Sequence, residues 1–219
     1  MTASTARRTA AMVAATLALV SPARAHPHVF VDAKAEIVFD DRGEIAALRH
    51  IWQFDAAFTA FAIQGLDENG DGALSDDELA PLAKVNVESL AEFGFFTYLT
   101  VDDVDQTFAP PSQYWLDFHG GRLTLFYTLP LVAPAAVHET ATLEVFDPEY
   151  FVAFEYVRDA PVTLDAPPPG CVASYRPPGE LDAATTAILS QIPADQRDLP
   201  PDLRQAASVL ANVISVRCR

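Results

Sequence analysis

From residue 28 to residue 39 the chain alternates, with Val29, Val31, Ala33, Ala35 and Ile37 on one side and His28, Phe30, Asp32, Lys34 and Glu36 on the other. A period of two belongs to a strand with one buried face. Asp40-Asp41-Arg42-Gly43 supplies turn chemistry and Glu44 to Phe54 returns as a second strand, so the pair reads as a hairpin. The period then lengthens. Phe58, Phe61, Ala62 and Leu66 recur at helical spacing behind Asp55, a residue type that caps helix starts, and predict a helix through Leu66. Ser75 and Glu78 form a capping box for a second helix to about Phe93, with Leu79, Leu82, Val85 or Asn86, Leu90 and Phe93 as its apolar stripe.

Beyond Tyr98 the texture turns to short β-rich runs at Tyr98 to Val104, Tyr114 to His119, Arg122 to Leu129, Ala141 to Phe146, Tyr150 to Val157 and Val162 to Leu164. Pro110-Pro111, Gly120-Gly121, Pro130 to Pro134, Asp147-Pro148 and Asp159-Ala160-Pro161 punctuate them, which is the cadence of an antiparallel sandwich or open barrel. A proline-rich stretch to Gly179 precedes helical pieces at Leu181 to Gln191 and Pro201 to about Asn212, and a last strand-like run at Val213 to Cys218. The expectation is an α+β fold: an antiparallel sandwich-like sheet, a helix-loop-helix insertion at 55–97 and short C-terminal helices. No internal repeat is evident.

The amino terminus reads as an address. Arg7 and Arg8 precede the apolar run Thr9 to Val20, and Ala23-Arg24-Ala25 has the small-x-small form of a signal-peptidase site. Cleavage would leave one exported domain, 26–219, starting at His26. It would also take the net charge from -16 to -19, because three arginines leave with the peptide. Such an acidic chain excludes nucleic acid and anionic membrane surfaces as partners, and no run after the signal is long and apolar enough to span a bilayer. In an oxidising compartment the two cysteines, Cys171 and Cys218, are expected to pair. The expected location is the periplasm.

Two motifs carry chemistry. Asp67-Glu-Asn-Gly-Asp-Gly-Ala-Leu-Ser-Asp-Asp-Glu78 has the pattern of an EF-hand calcium loop. Asp67, Asn69, Asp71 and Ser75 offer side-chain oxygens, Ala73 its carbonyl and Glu78 two carboxylate oxygens, with Gly72 where the chain must turn sharply. A hard ion needs six to eight such donors. One loop without a second hand does not make a sensor, so structural bracing is the expected role. The other motif is His26-Pro27-His28 at the expected cut, where a free amine and two imidazoles suit nickel, cobalt, copper or zinc. Pro27 removes a backbone nitrogen from any planar peptide chelate, so further donors must come from the fold; His50, His119, His138, Asp32, Asp55 and Glu155 are candidates. No catalytic constellation is recognisable: G-x-S-x-G, H-E-x-x-H and phosphate-cradling glycine loops are absent, and the aromatic clusters read as core.

His26 to Ala33, Trp52-x-Phe54-Asp55, the calcium-type loop and Val145-Phe-Asp-Pro-Glu-Tyr-Phe-Val-Ala-Phe154 together resemble the domain-of-unknown-function 1007 family, described as the periplasmic component of an uncharacterised ABC-type transport system. The resemblance covers nearly the whole expected mature chain. It implies an exported metal-binding accessory that accompanies an inner-membrane permease of the nickel/cobalt type. A calcium-braced scaffold without transition metal, and a copper oxidoreductase with an N-terminal histidine, are the competing readings.

Overall fold

The computed structural model describes residues 27–111, 113–189, 191–192 and 200–219. The expected signal segment 1–25 and His26 lie outside the described residues. Among the described residues the strands form two sheets.

The opening hairpin is present as β1 (Val29–Phe39) and β2 (Ile45–Phe54), paired antiparallel. At its turn the Asp40 carboxylate accepts from the Arg42 and Glu44 amides, and Gly43 sits at φ 76°. A Cβ at Gly43 would also lie 2.7 Å from Pro168, so both conformation and crowding demand glycine there. Next come α1 (Ala56–Ala62) and α2 (Asp76–Glu92), joined by the loop that contains residues 67–78. Helix α1 stops a turn earlier than its periodicity predicts, with Gly65 at φ 79° just beyond it. Its buried Thr59 hydroxyl accepts from the Leu123 amide and ties the helix to the sheet. In α2 the buried side is Leu79, Ala83 and Val87, whereas Val85 is exposed.

The later strands are β3 (Thr97–Val101), β4 (Val104–Asp105), β5 (Gln113–His119), β6 (Arg122–Ala135), β7 (Ala141–Val145), β8 (Val152–Tyr156), β9 (Val162–Asp165), β10 (Val172–Arg176) and β11 (Asn212–Arg217). The first sheet runs β5-β6-β2-β1-β8 with β9 also on β1; the second runs β10-β11-β7-β3-β4. The expected all-antiparallel arrangement is only partly present, because β8 and β9 both pair with β1 in parallel. Strand β1 is long enough to serve both. Asp159-Ala160-Pro161, with Ala160 at φ 48°, breaks what would otherwise be one partner strand, and the Pro161 carbonyl accepts from the Ala35 amide at the break.

Among the described residues the main apolar core spans the inward faces of both sheets and α2, and a second small cluster gathers around Leu189 and Ile192. Where the sheets meet, fully buried Asn212 stitches them: its amide donates to Val145 of the second sheet and to Phe154 of the first, and its oxygen accepts from the Tyr175 hydroxyl. The Cys171–Cys218 bridge is present and joins the start of β10 to the end of β11. The C-terminal helices are shorter than expected, α3 (Ala183–Leu189) and α4 (Pro201–Ala207), because Asn212 already belongs to β11, a central buried strand. Strand β10, hidden in the proline-rich stretch, is an element the periodicity did not reveal. Among the described residues no helix is long and apolar enough to cross a membrane.

Candidate functional site

The loop between α1 and α2 is organised by its own side chains. Asp67 accepts from the Gly70 and Asp71 amides through Oδ1 and from Gly72 through Oδ2, at 2.8 to 3.1 Å. Asn69 Oδ1 takes the Asp71 amide and Asp71 Oδ1 takes that of Ala73. Glu78 closes the loop, with Oε1 accepting from the Glu68 amide and Oε2 from the Ser75 amide and hydroxyl. The Ser75 bonds, followed by that of Glu68, hold the Glu78 carboxyl below its usual range. Gly70 and Gly72, at φ 73° and 81°, supply the left-handed turns this wrapping requires. Each carboxylate oxygen pair has about four lone-pair positions, so these bonds leave acceptor capacity on Asp67, Asp71 and Glu78. Among the described residues no three His, Cys, Asp or Glu side chains stand together as a metal cluster. A loop of this type draws half its donors from elsewhere, from Asn69, Ser75 and the Ala73 carbonyl.

The second candidate region joins segments far apart in sequence. Asp147 is only 4% exposed and its carboxylate accepts from the amides of Glu149, Phe151 and Val152 at 2.8 to 2.9 Å. That wrapping fixes the Asp147 to Phe151 turn, with Tyr150 at φ 56°. The Phe151 carbonyl in turn receives the amides of His28 and Val29, and the His28 ring lies 4.9 Å from that of Phe151. A cavity of about 230 Å³ opens beside this junction, lined by Asp147, Glu149 and Phe151 on one side and by Asn86, Ser89 and Phe93 on the other. The same α2 that Glu78 opens therefore walls the junction with its C-terminal half.

The donors expected to join His28 are distributed otherwise. His50 lies in the core, 1% exposed, its ring 4.9 Å from Tyr127 and 5.3 Å from Trp52, and burial pushes its pKa down to about 3. Its Nε2 is 3.5 Å from the Thr97 hydroxyl, and Nδ1 has no hydrogen-bond partner among the described residues. Asp32 pairs with Arg122 at 2.6 Å. Asp55 accepts from the Phe30, Ala57 and Phe58 amides; burial raises its pKa, but those three donors outweigh it and hold the carboxyl low. His119 sits at the β5–β6 turn, and the His138 amide donates to Asp102. Glu155 is exposed on β8, opposite Asp32 in register. The residues that do meet the amino end of β1 belong to the Asp147 to Phe151 turn. Asp147 was read from sequence only as part of a turn, and neither it nor Glu149 as a site residue. The available signal was an aspartate followed by proline, the signature of a turn whose carboxylate binds amides two and more residues on.

Fold and site together define an α+β, two-sheet protein with a helix-loop-helix between its opening hairpin and its second sheet. The model for the protein of unknown function family DUF1007 matches residues 11–218, and the chain belongs to that family. It is 22% identical over 197 residues to an uncharacterized protein of Haemophilus influenzae, covering 89% of this chain and 91% of that one. An uncharacterized 15.5 kDa protein in the trpE 3′ region of Spirochaeta aurantia is 24% identical over 98 residues, 45% of this chain and 70% of its own.

Proposed function

We propose that this protein is an exported, periplasmic metal-binding accessory of a transition-metal transport system, braced by one Ca²⁺ ion in an EF-hand loop at residues 67–78. The observation that carries the calcium reading is the loop itself: Asp67, Asn69, Asp71, Ser75 and Glu78 stand at the donor positions, wrapped around loop amides with both glycines in left-handed turns. Calcium would supply a fixed positive centre for those oxygens, joining the end of α1 to the start of α2. The Cys171–Cys218 bridge supports an oxidising compartment. The nickel/cobalt-type permease follows from the family resemblance.

The transition-metal reading rests on the junction at His28. The turn whose Phe151 ring lies 4.9 Å from that of His28 also carries Glu149, which lines the adjoining cavity, so Glu149 is the donor we add to His26 and His28. Imidazole with carboxylate suits zinc, nickel, cobalt or copper rather than calcium.

Thermal melting with and without Ca²⁺ tests the calcium reading. At a hundredfold excess over Kd, an ion that binds only the native chain adds about 2.7 kcal/mol. Glu78→Gln removes a bidentate ligand and should abolish that gain. An equal calcium shift in both proteins, or none in the wild type, overturns the reading.

A further inference from the structure

A cavity of about 720 Å³ runs along β8, the edge strand of the first sheet, with Tyr175, Pro177 and Pro178, at and beyond the end of β10, also lining it. It shares only Asp147 and Val152 with the cavity beside His28, and its volume lies in the ordinary range for small-molecule sites. The parallel register of β1 and β8 sets one wall. Phe30 stands beside Ala153 and Asp32 beside Glu155, all on the outward side of their strands. Ala153 is too small to cover its neighbour, and Phe30 remains 54% exposed. Tyr150 and Tyr175 add two partly buried rings. Tyr175 is fixed in place: its hydroxyl donates to Asn212 and accepts from the Tyr156 amide, and its ring lies 5.5 Å from that of Tyr156. Burial pushes the Tyr175 pKa up, the Tyr156 amide offsets part of the rise and the Glu155 charge adds to it, so that carboxylate is a near neighbour.

The charges around these rings select the ligand. Among the described residues the lining carries three carboxylates, Asp32, Asp147 and Glu155, against one cation, Arg158. Arg122 already neutralises Asp32, and three amides solvate Asp147. Glu155 is exposed, and among the described residues no hydrogen bond or ion pair engages its carboxylate. A chain of net charge -16 also draws cations toward its surface and repels anions, so phosphates and carboxylates are disfavoured here. Phenyl and phenol faces attract a cation held within about 6 Å of the ring centre. We propose that this cavity binds an amphipathic organic cation, an ammonium group on an apolar body, with Glu155 as the counter-ion and Phe30, Tyr150 and Tyr175 around the body. This site is independent of both metal readings.

Calorimetry of the intact protein in chelator, at low ionic strength, tests this with three ligands of one shape: cationic phenethylamine, neutral 2-phenylethanol and anionic 3-phenylpropionate. Phenethylamine should bind with Kd tighter than about 1 mM, 2-phenylethanol about fivefold more weakly and 3-phenylpropionate more weakly still. Glu155→Gln should weaken the amine about threefold, the scale of an exposed ion pair, and leave the alcohol unchanged. Glu144→Gln, on β7 and outside the lining, controls for diffuse attraction and should change neither. Phe30→Ala, at an exposed position, should keep the melting temperature and weaken amine and alcohol alike. Added salt should weaken the amine alone. No saturable binding of the amine, equal affinity for the amine and the carboxylate, or a folded Glu155→Gln protein that binds the amine no more weakly than Glu144→Gln would overturn the proposal.

Discussion

The loop at 67–78 and the junction at His28 are built in opposite ways. In the loop the hydrogen bonds that shape the chain run between residues no more than ten apart, and most of the segment is exposed. At the junction the same device, a carboxylate wrapped by amides, is buried at Asp147 and holds a segment more than a hundred residues from the strand it receives. The loop is therefore a module that can be altered without disturbing the sheets. The junction is part of the body, so changing it changes stability as well as any chemistry it performs.

The largest separation between the two should appear in acid. The native chain holds His50 neutral to about pH 3, whereas the unfolded chain takes up that proton near 6.5. The stability from the neutral ring is full above 6.5 and declines as pH falls from there toward 3, by roughly 5 kcal/mol in total. Urea melts across this range should show the slope, and His50→Leu should flatten it. The loop lies outside this core and should add slope only below the ordinary carboxylate range, where the depressed Glu78 carboxyl takes up its proton in the unfolded chain first.

Next in size is Asp147→Ala, which strips acceptors from three amides around a buried carboxylate and should cost about 3 kcal/mol. Its calcium response should persist, measured as the melting shift on adding Ca²⁺ to the folded variant. Smaller again is Asp55→Ala, which removes the N-cap of α1 and the Phe30 contact; the expected loss is about 1 kcal/mol by chemical denaturation. The least effect without calcium belongs to Glu78→Gln, whose melting temperature in chelator should lie close to that of the wild type. Large destabilisation of the calcium-free Glu78→Gln protein would erase the contrast between module and body.

The same contrast explains what could be read from sequence. Helix α2 and its capping box were legible because Ser75, Glu78 and the apolar spacing are all local. The β1–β2 hairpin was legible too, from its alternation and the Asp40 turn. The parallel pairing of β8 and β9 was not, since nothing in residues 152–165 states which strand they meet. Strand β10 was hidden among prolines and rests on β11 and the disulfide rather than on its own pattern. Of the six donors proposed for His28, burial claimed His50 and backbone amides or an arginine claimed Asp55 and Asp32. Glu149 could be identified only once the Asp147 turn and β1 were side by side.

The most direct test of the two-site account is sequential calorimetry on the chain beginning at His26, with Ca²⁺ titrated first and Ni²⁺ second into the same cell. The account predicts one calcium per chain, and then a nickel isotherm that prior calcium leaves unchanged and that His28→Ala with Glu149→Ala weakens. Absence of calcium binding, or nickel binding that calcium abolishes, would contradict it.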